Sequence, residues 1–224
     1  MNKLTQKEAF EIASSYQFDT KKIELGPWTS YSLLNDPRHM SFVLARYKFA
    51  SKMMKQGGSV LEVGCGDAFG AAIVNQNASD YVGIDVDERL ISDNNCRLQA
   101  IEHMHFILHD ITNSPMSKKF DTVFNIDVLE HLDADIEEKF LKNSIDSLDD
   151  HGIYICGTPS IYSKDHESER SSIQHINLKS APEKKKLFEK YFNFVWIFSM
   201  NDEVVHTGYY PMAHYLFAVC AGKK

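Results

Sequence analysis

From residue 59 onward the chain alternates short apolar runs with helix-length stretches, and this rhythm restricts its fold more than any other feature. SVLEVG (59–64), DYVGID (80–85), MHFILHD (104–110), FDTVFNID (120–127) and GIYICGT (152–158) are strand-sized. Apolar runs of this length suit strands buried on both faces. Between them a glycine-rich turn leads into a helix near 69–77, and another helix opens at Asp87 and runs toward Ala100. A third helix carries Ile136, Phe140, Leu141, Ile145 and Leu148 along one face. Alternating βα units predict a doubly wound, mostly parallel, Rossmann-like α/β sheet with helices on both faces. Two more strands, at 194–200 and 214–221, are joined by a polar and aromatic loop instead of a helix. They are expected to form an antiparallel pair and to complete a seven-stranded sheet.

The flanks read differently. Residues 1–56 form a helical N-terminal extension: a short helix over 3–17, then a Pro/Gly loop at GPWTSY (26–31). Asp36 is placed as an N-cap with Pro37 at the first helical position. Phe42, Val43, Tyr47, Ala50, Met53 and Met54 follow on one stripe, and Gly57-Gly58 ends the helix. Residues 57–224 make one domain. Within it, the Ser-rich and charged stretch 159–181 is expected to be a loop insertion over the functional edge of the sheet, followed by a helix over 182–192.

Charge narrows the partners. Lys plus Arg number 24 against 31 for Asp plus Glu, a formal charge of −7. Such a field repels duplex nucleic acid and favours a small ligand. The four cysteines lie far apart with no C-x-x-C pair, which gives neither a zinc ribbon nor a disulfide framework. No run is long enough to span a bilayer and no apolar leader opens the chain. The expected setting is the cytoplasm, with no membrane or nucleic-acid partner and the oligomeric state left open.

LEVGCGDAFG (61–70) carries the strongest local signal. Gly64 and Gly66 follow the first strand and precede a helix, with Cys65 a small residue between them. A dinucleotide fingerprint starting at Gly64 needs a third glycine at position 69, which is Phe69. Glu62, just before the turn, would also repel a pyrophosphate. Asp85 ends the second strand about 20 residues on, where an acid can accept both ribose hydroxyls. Asp110-Ile111 ends the third strand at the same edge, placed to meet an adenine. Ribose, adenine and a cationic tail describe S-adenosylmethionine. Asp87, by contrast, reads most simply as a helix N-cap.

In order, V-L-E-V-G-C-G (60–66), V-G-I-D (82–85), Asp110 and FDTVFNIDVLEHL (120–132) resemble the class I S-adenosylmethionine-dependent methyltransferases. The last string looks like the small-molecule branch that includes the ubiquinone-biosynthesis O-methyltransferases. The resemblance covers 58–158, and GTPS (157–160) fits it; the two flanks match only in layout. One departure is Ala68, where the family carries a small glycine. The resemblance implies that Glu62 orients the turn and the cofactor's ammonium, directly or through water, and that Gly64, Cys65 and Gly66 give close backbone approach. It further implies that Asp85 takes the ribose and Val86 packs on the adenine. Asp110 and the Ile111 amide would read the adenine, while the Asn125 carbonyl lies beside the methionyl part.

Methyl transfer needs alignment and exclusion of water, and a base where a hydroxyl acceptor must lose its proton. His131, just past the fourth strand, and His175, after the fifth, are the candidate catalytic residues. His166, His206 and His214 lie in segments able to cover the site. His103, His105 and His109 have alternate spacing but no convincing carboxylate partner, so no metal site is assigned. Trp28, Tyr31, Tyr162, Tyr209 and Tyr210 are candidate acceptor walls, and Arg38, Arg46, Lys164 and Arg170 candidate clamps for an anionic acceptor. The expected activity is methylation of an oxygen, with nitrogen second, on a small polar metabolite such as a sugar or surface-glycan precursor. The alternative is a catalytically silent cofactor-binding module of the same fold. NAD-dependent oxidoreduction and nucleic-acid methylation fit less well, the latter because N-I-D-V replaces a D/N-P-P-Y type strand end.

Overall fold

The computed structural model describes residues 4–16, 22–166 and 169–224. The chain runs through α1 (Gln6–Ser14), α2 (Pro27–Asn35), α3 (Pro37–Met53), β1 (Gly58–Val63), α4 (Ala71–Asn75) and β2 (Ala78–Asp85). It continues with α5 (Glu88–Arg97), β3 (Met104–Leu108), β4 (Phe120–Ile126), α6 (Ala134–Asp146), β5 (Leu148–Pro159) and α7 (Glu169–Gln174). The last part comprises α8 (Ala181–Phe188), β6 (Phe192–Asn201), β7 (Val204–His206) and β8 (Tyr215–Lys223).

The described strands form one sheet in the order β3-β2-β1-β4-β5-β8-β6-β7. Strands β1 to β5 pair in parallel. β8 is antiparallel to both β5 and β6, as the loop-joined end strands require. The sheet has eight strands, not seven, because Val204–Val205–His206 pairs back onto Ser199–Asn201 inside the expected loop. The chain leaves β1 toward β2 on one side and reaches β4 on the other. Between them lies the crevice in which open α/β sheets bind ligands.

Both faces of the sheet are covered. Successive strand residues alternate between two cores: Val60, Tyr81, Phe124 and Ile155 face Tyr47, Phe49 and Ala50 of α3. Leu61, Val82, Val123 and Tyr154 face Phe140 and Leu141 of α6 and Phe188 of α8. This period of two explains why the strands read as continuous apolar runs.

The N-terminal extension departs from expectation at one place. GPWTSY begins a helix instead of forming a loop: Pro27 takes the first helical position and the Asp67 carboxylate accepts the Thr29 N–H at 2.7 Å. A carboxylate distant in sequence thus does the work of an N-cap side chain. Asp36 sits at the N-cap of α3 but makes no side-chain cap bond. α1 is capped by a reciprocal Thr5–Glu8 pair and buries no residue; positions 3 and 17, the ends of the expected helix, lie outside the described residues. The 159–181 insertion also holds more structure than a loop: a 3₁₀ segment at Ile161–His166, then α7.

Candidate active site

β1 ends in a turn that only small residues can make. Gly64 (φ +79°) and Gly66 (φ +53°) adopt left-handed backbone. A side chain on Gly64 would meet Val128 Cγ2 at 2.5 Å, whereas a Cβ on Gly66 would meet nothing within 4 Å. The space above Gly66 is therefore open, the shape needed by a ligand that approaches backbone. Ala68 is left-handed too (φ 57°), at a cost of about 1–2 kcal/mol for an L-residue. The departure from glycine there leaves the turn's shape intact and stores strain in it. Cys65 contributes backbone only: its side chain is buried, and burial, then Glu62 and Asp85, push its thiol pKa well up.

Asp85 closes the turn from the next strand. Its Oδ2 accepts the Gly66 N–H at 2.9 Å and its Oδ1 accepts the Asp87 N–H at 2.9 Å. Each oxygen keeps a lone pair for a second donor. Asp87 caps α5 through the Arg89 N–H, as its simplest reading required. Val86 is 68% exposed, an apolar surface beside Asp85.

Asp110 is occupied locally. Its Oδ1 accepts the N–H and hydroxyl of Thr112 at 2.9 and 2.7 Å, and Asn113 donates to Oδ2 at 3.0 Å. An adenine amino group would have to share Oδ2. Ile111 is buried, and its carbonyl accepts from Asn143 at 2.7 Å. Asn125 turns its side chain away into the core, donating to the Tyr154 hydroxyl at 2.8 Å. Only its backbone remains for the role the resemblance gave it.

Glu62 differs most from expectation. It is fully buried, with Oε1 accepting the Tyr47 hydroxyl at 2.6 Å and Oε2 the Tyr81 hydroxyl. Burial pushes its pKa up to about 8 against the two tyrosine hydrogen bonds, with Asp85 adding to the rise. With both oxygens engaged, Glu62 braces α3, β1 and β2 behind the turn and offers no exposed atom to an ammonium. Tyr47 lies so close over Gly70 that any Cβ there would stand 1.9 Å from its ring.

Sequence reasoning missed the rest of this brace. Asn94, fully buried on α5, donates to the Gly66 carbonyl at 2.8 Å. Arg97, one helical turn on, donates to the Asp67 carbonyl at 2.9 Å and to Asn94 Oδ1 at 2.7 Å. Their spacing on one helix face was visible; their target was not.

On the β4 side a second group assembles. Asp127 follows β4 in left-handed backbone (φ 57°), and Arg46 of α3 donates to its Oδ2 at 2.6 Å. Arg46 stacks over the Tyr215 ring, 4.1 Å from its centroid. Its charge thus faces Asp127 and leaves little for an anionic acceptor. A 3₁₀ turn, Leu129–His131, then presents Glu130 and His131. His131 Nδ1 lies 3.0 Å from the Gln174 carbonyl, and the Asn177 N–H donates to the Glu130 carbonyl at 3.0 Å. These bonds fasten the 159–181 insertion to the turn and set the His131 and His175 rings 5.2 Å apart. The two histidines singled out from the sequence are therefore neighbours. Glu130, which sequence reasoning passed over, is fully buried between them and Asp127. Burial, then Asp127, push its pKa up to about 8.

Residues 60–152 match the family described as methyltransferase domain. A protein of Mycolicibacterium smegmatis, described as a probable S-adenosylmethionine-dependent methyltransferase, is 29% identical over 104 residues, 46% of this chain. The match spans 39% of that relative's length. Among solved structures, the N-methyltransferase NodS of Bradyrhizobium japonicum, in complex with S-adenosylhomocysteine, superposes with a TM-score of 0.61 at 17% identity. That likeness covers 87% of this chain and 92% of NodS. A Thermotoga maritima protein described as a possible histamine N-methyltransferase gives 0.67 at 17% identity, over 87% of this chain and 94% of its own. Residues 60–152 therefore match a methyltransferase domain, and most of the chain shares the fold of solved methyltransferases.

The open space over Gly66, the Asp85 carboxylate and the exposed Val86 lie together at this edge of the sheet. A cavity of about 610 Å³ lies beside them, between Leu25, Pro27, Trp28 and Tyr31 of the extension and Asp87 and Leu90 of α5. It flanks the Asp85 side of the turn without including Gly66 or Asp85. Trp28 and Tyr31 thus wall the α5 side of the edge rather than the His131 side. Tyr209 and Tyr162 each lie near Tyr210, with ring centroids 6.3 Å apart in both pairs. His206 sits in β7, bonded to Asn201 and Gly208, and His105 lies 3.6 Å from Asp80 on β2. The side chains of His166 and Arg170 lie outside the described residues.

Proposed function

We propose that the protein transfers the methyl group of S-adenosylmethionine to an oxygen of a small polar metabolite, with sugars and surface-glycan precursors the acceptor class to try first. The observation that carries the reading is Asp85. Its carboxylate is held by the Gly66 and Asp87 N–H groups at the mouth of an open glycine turn, with one acceptor lone pair left on each oxygen. Bound there, the cofactor would supply a methyl carbon activated by a sulfonium. Asp85 would accept the ribose hydroxyls, Gly66 would let the ligand reach backbone, and Val86 would cover the adenine. The Asp110 carboxylate, oriented by Thr112 and Asn113, would receive the adenine amino group on Oδ2.

A hydroxyl acceptor must lose its proton as it is methylated. The protein gathers the groups able to bring this about at the end of β4, in the neighbouring His131 and His175. The insertion that carries His175 is fastened to this end of the sheet by the His131–Gln174 and Asn177–Glu130 contacts. Nitrogen is the second choice of acceptor atom, since two of the fold neighbours are described as N-methyltransferases. The formal charge of −7 supports a small acceptor over a nucleic acid. No helix among the described residues is long and apolar enough to cross a membrane.

Titration calorimetry with S-adenosylhomocysteine tests the cofactor half. The wild type should bind, and Asp85→Ala should weaken binding by about 1.5–3 kcal/mol, the scale of hydrogen bonds to a charged group. Unchanged affinity in a folded variant removes Asp85 from the site. Labelled S-adenosylmethionine with a panel of polyols, hydroxy acids and amines then tests the acceptor atom.

A further inference from the structure

Glu130 is the most unusual side chain in the protein. Both carboxylate oxygens are buried and neither has a hydrogen-bond partner. A buried carboxylate without donors is costly, and native structures rarely keep one without a ligand or function. Two imidazoles stand beside it. His131 Nε2 lies 4.0 Å from Glu130 Oε1, and one ligand atom each from Glu130, His131 and His175 fall within 4.8 Å of one another.

The orientation of His131 adds an independent argument. The atom facing its Nδ1 is a backbone carbonyl, which can only accept, so Nδ1 carries the hydrogen. Nε2 of the neutral ring is therefore the lone-pair nitrogen, and it points at Glu130. A ring N–H held by a carbonyl while the other nitrogen faces a carboxylate is the arrangement that orients metal-binding histidines. Atoms bound about 2.0–2.2 Å from one ion lie roughly 3–4 Å apart. The three side chains need only a small contraction to close.

We propose that Glu130, His131 and His175 bind a divalent first-row transition-metal ion. One carboxylate and two imidazoles suit zinc, manganese, iron or cobalt better than magnesium or calcium. Three protein ligands leave coordination positions open, as in metal sites that act on a substrate. The neighbouring Asp127 carboxylate, whose Oδ1 is also buried without a partner, adds negative field. Arg46 and Lys184 add positive charge nearby, Arg46 bonded to Asp127 and Lys184 to the Thr158 hydroxyl at 2.7 Å. The function of the ion rests on the methyltransferase reading: it would hold the acceptor oxygen and lower its pKa, so that the hydroxyl proton passes to solvent. The two histidines would then act as ligands rather than as bases.

The test uses cobalt(II) alone, added to chelator-stripped protein and followed by visible absorption. One equivalent should bind with the intense d–d bands of a low-symmetry site. Glu130→Gln and His175→Ala should each weaken binding about 10-fold or more, while His105→Ala, on the surface of β3, should not. His131→Ala serves as a second variant should Glu130→Gln fail to fold, because His131 is exposed. Cobalt binding by the wild type no stronger than by a Glu130→Gln/His131→Ala/His175→Ala variant overturns the proposal. So does a spectrum that none of the three single changes alters. Calorimetry with S-adenosylhomocysteine on the stripped protein separates the two readings: binding there with no cobalt site refutes only the metal, and a cobalt site without nucleoside binding refutes only the cofactor assignment.

Discussion

A glutamate next to a glycine turn has two physical options, and the surrounding tyrosines decide between them. An exposed Glu62 would offer charge to a cationic ligand. Enclosed by Tyr47 and Tyr81, it becomes a buried acceptor whose pKa rises from near 4.5 to about 8. A folded-state pKa above the unfolded value means that the native protein binds the proton more tightly. The stabilisation is complete below about pH 4.5 and disappears as pH rises through 8. Chelator-treated protein should therefore melt at progressively lower temperature between about pH 5 and 8, and Glu62→Gln, which cannot ionise, should flatten part of that slope. Calorimetric melting of both proteins across this range checks it. An equal slope in the variant would mean that Glu62 ionises in the native state as freely as in the unfolded chain.

At the scale of elements, legibility followed the range of the forces involved. The five parallel strands were readable because each buries both faces, so its own residues carry the signal. α2 was not readable. Its initiation depends on Asp67, 38 residues away, accepting the Thr29 N–H, and nothing local announces that partner. β7 was missed for a related reason: three residues paired to β6 alone are too short to show a period. At the candidate edge, the placement of Asp85 and the glycines was legible because spacing along a βα unit fixes it. Glu130, Asn94 and Tyr47 were not, since their roles come from neighbours that only the folded chain supplies. The α2 argument can be tested directly. Asp67→Ala removes the acceptor at the helix start and should cost about 0.5–2 kcal/mol, concentrated locally. Amides of Trp28–Asn35 should exchange with solvent up to about 30-fold faster, with those of β4 and β5 unchanged. A uniform acceleration across the sheet would show that Asp67 supports the fold as a whole.

For the whole molecule, the binding edge belongs to no single element. Gly66 follows β1, Asp85 ends β2, Asp110 follows β3, and the Glu130 group follows β4. A ligand lying along this edge ties together segments otherwise connected through the sheet and the brace formed by Asn94, Arg97 and Tyr47. Binding to the native state alone therefore appears as global stability. At 100 times its dissociation constant, S-adenosylhomocysteine should add about 2.7 kcal/mol. For a chain of this length that corresponds to a rise in melting temperature of roughly 5–11 °C. NAD at the same concentration should add nothing. Phe69 stands where a dinucleotide turn has its third glycine, and the Asp85 carboxylate is already pinned across the turn by the Gly66 N–H. A diphosphate brought to Gly66 would face that carboxylate with the N–H already taken, whereas the ammonium of S-adenosylhomocysteine would be attracted to it. Thermal shift with the two ligands side by side decides the matter. An NAD-induced rise equal to that of S-adenosylhomocysteine would mean that the edge recognises adenosine alone and that its charge selects nothing.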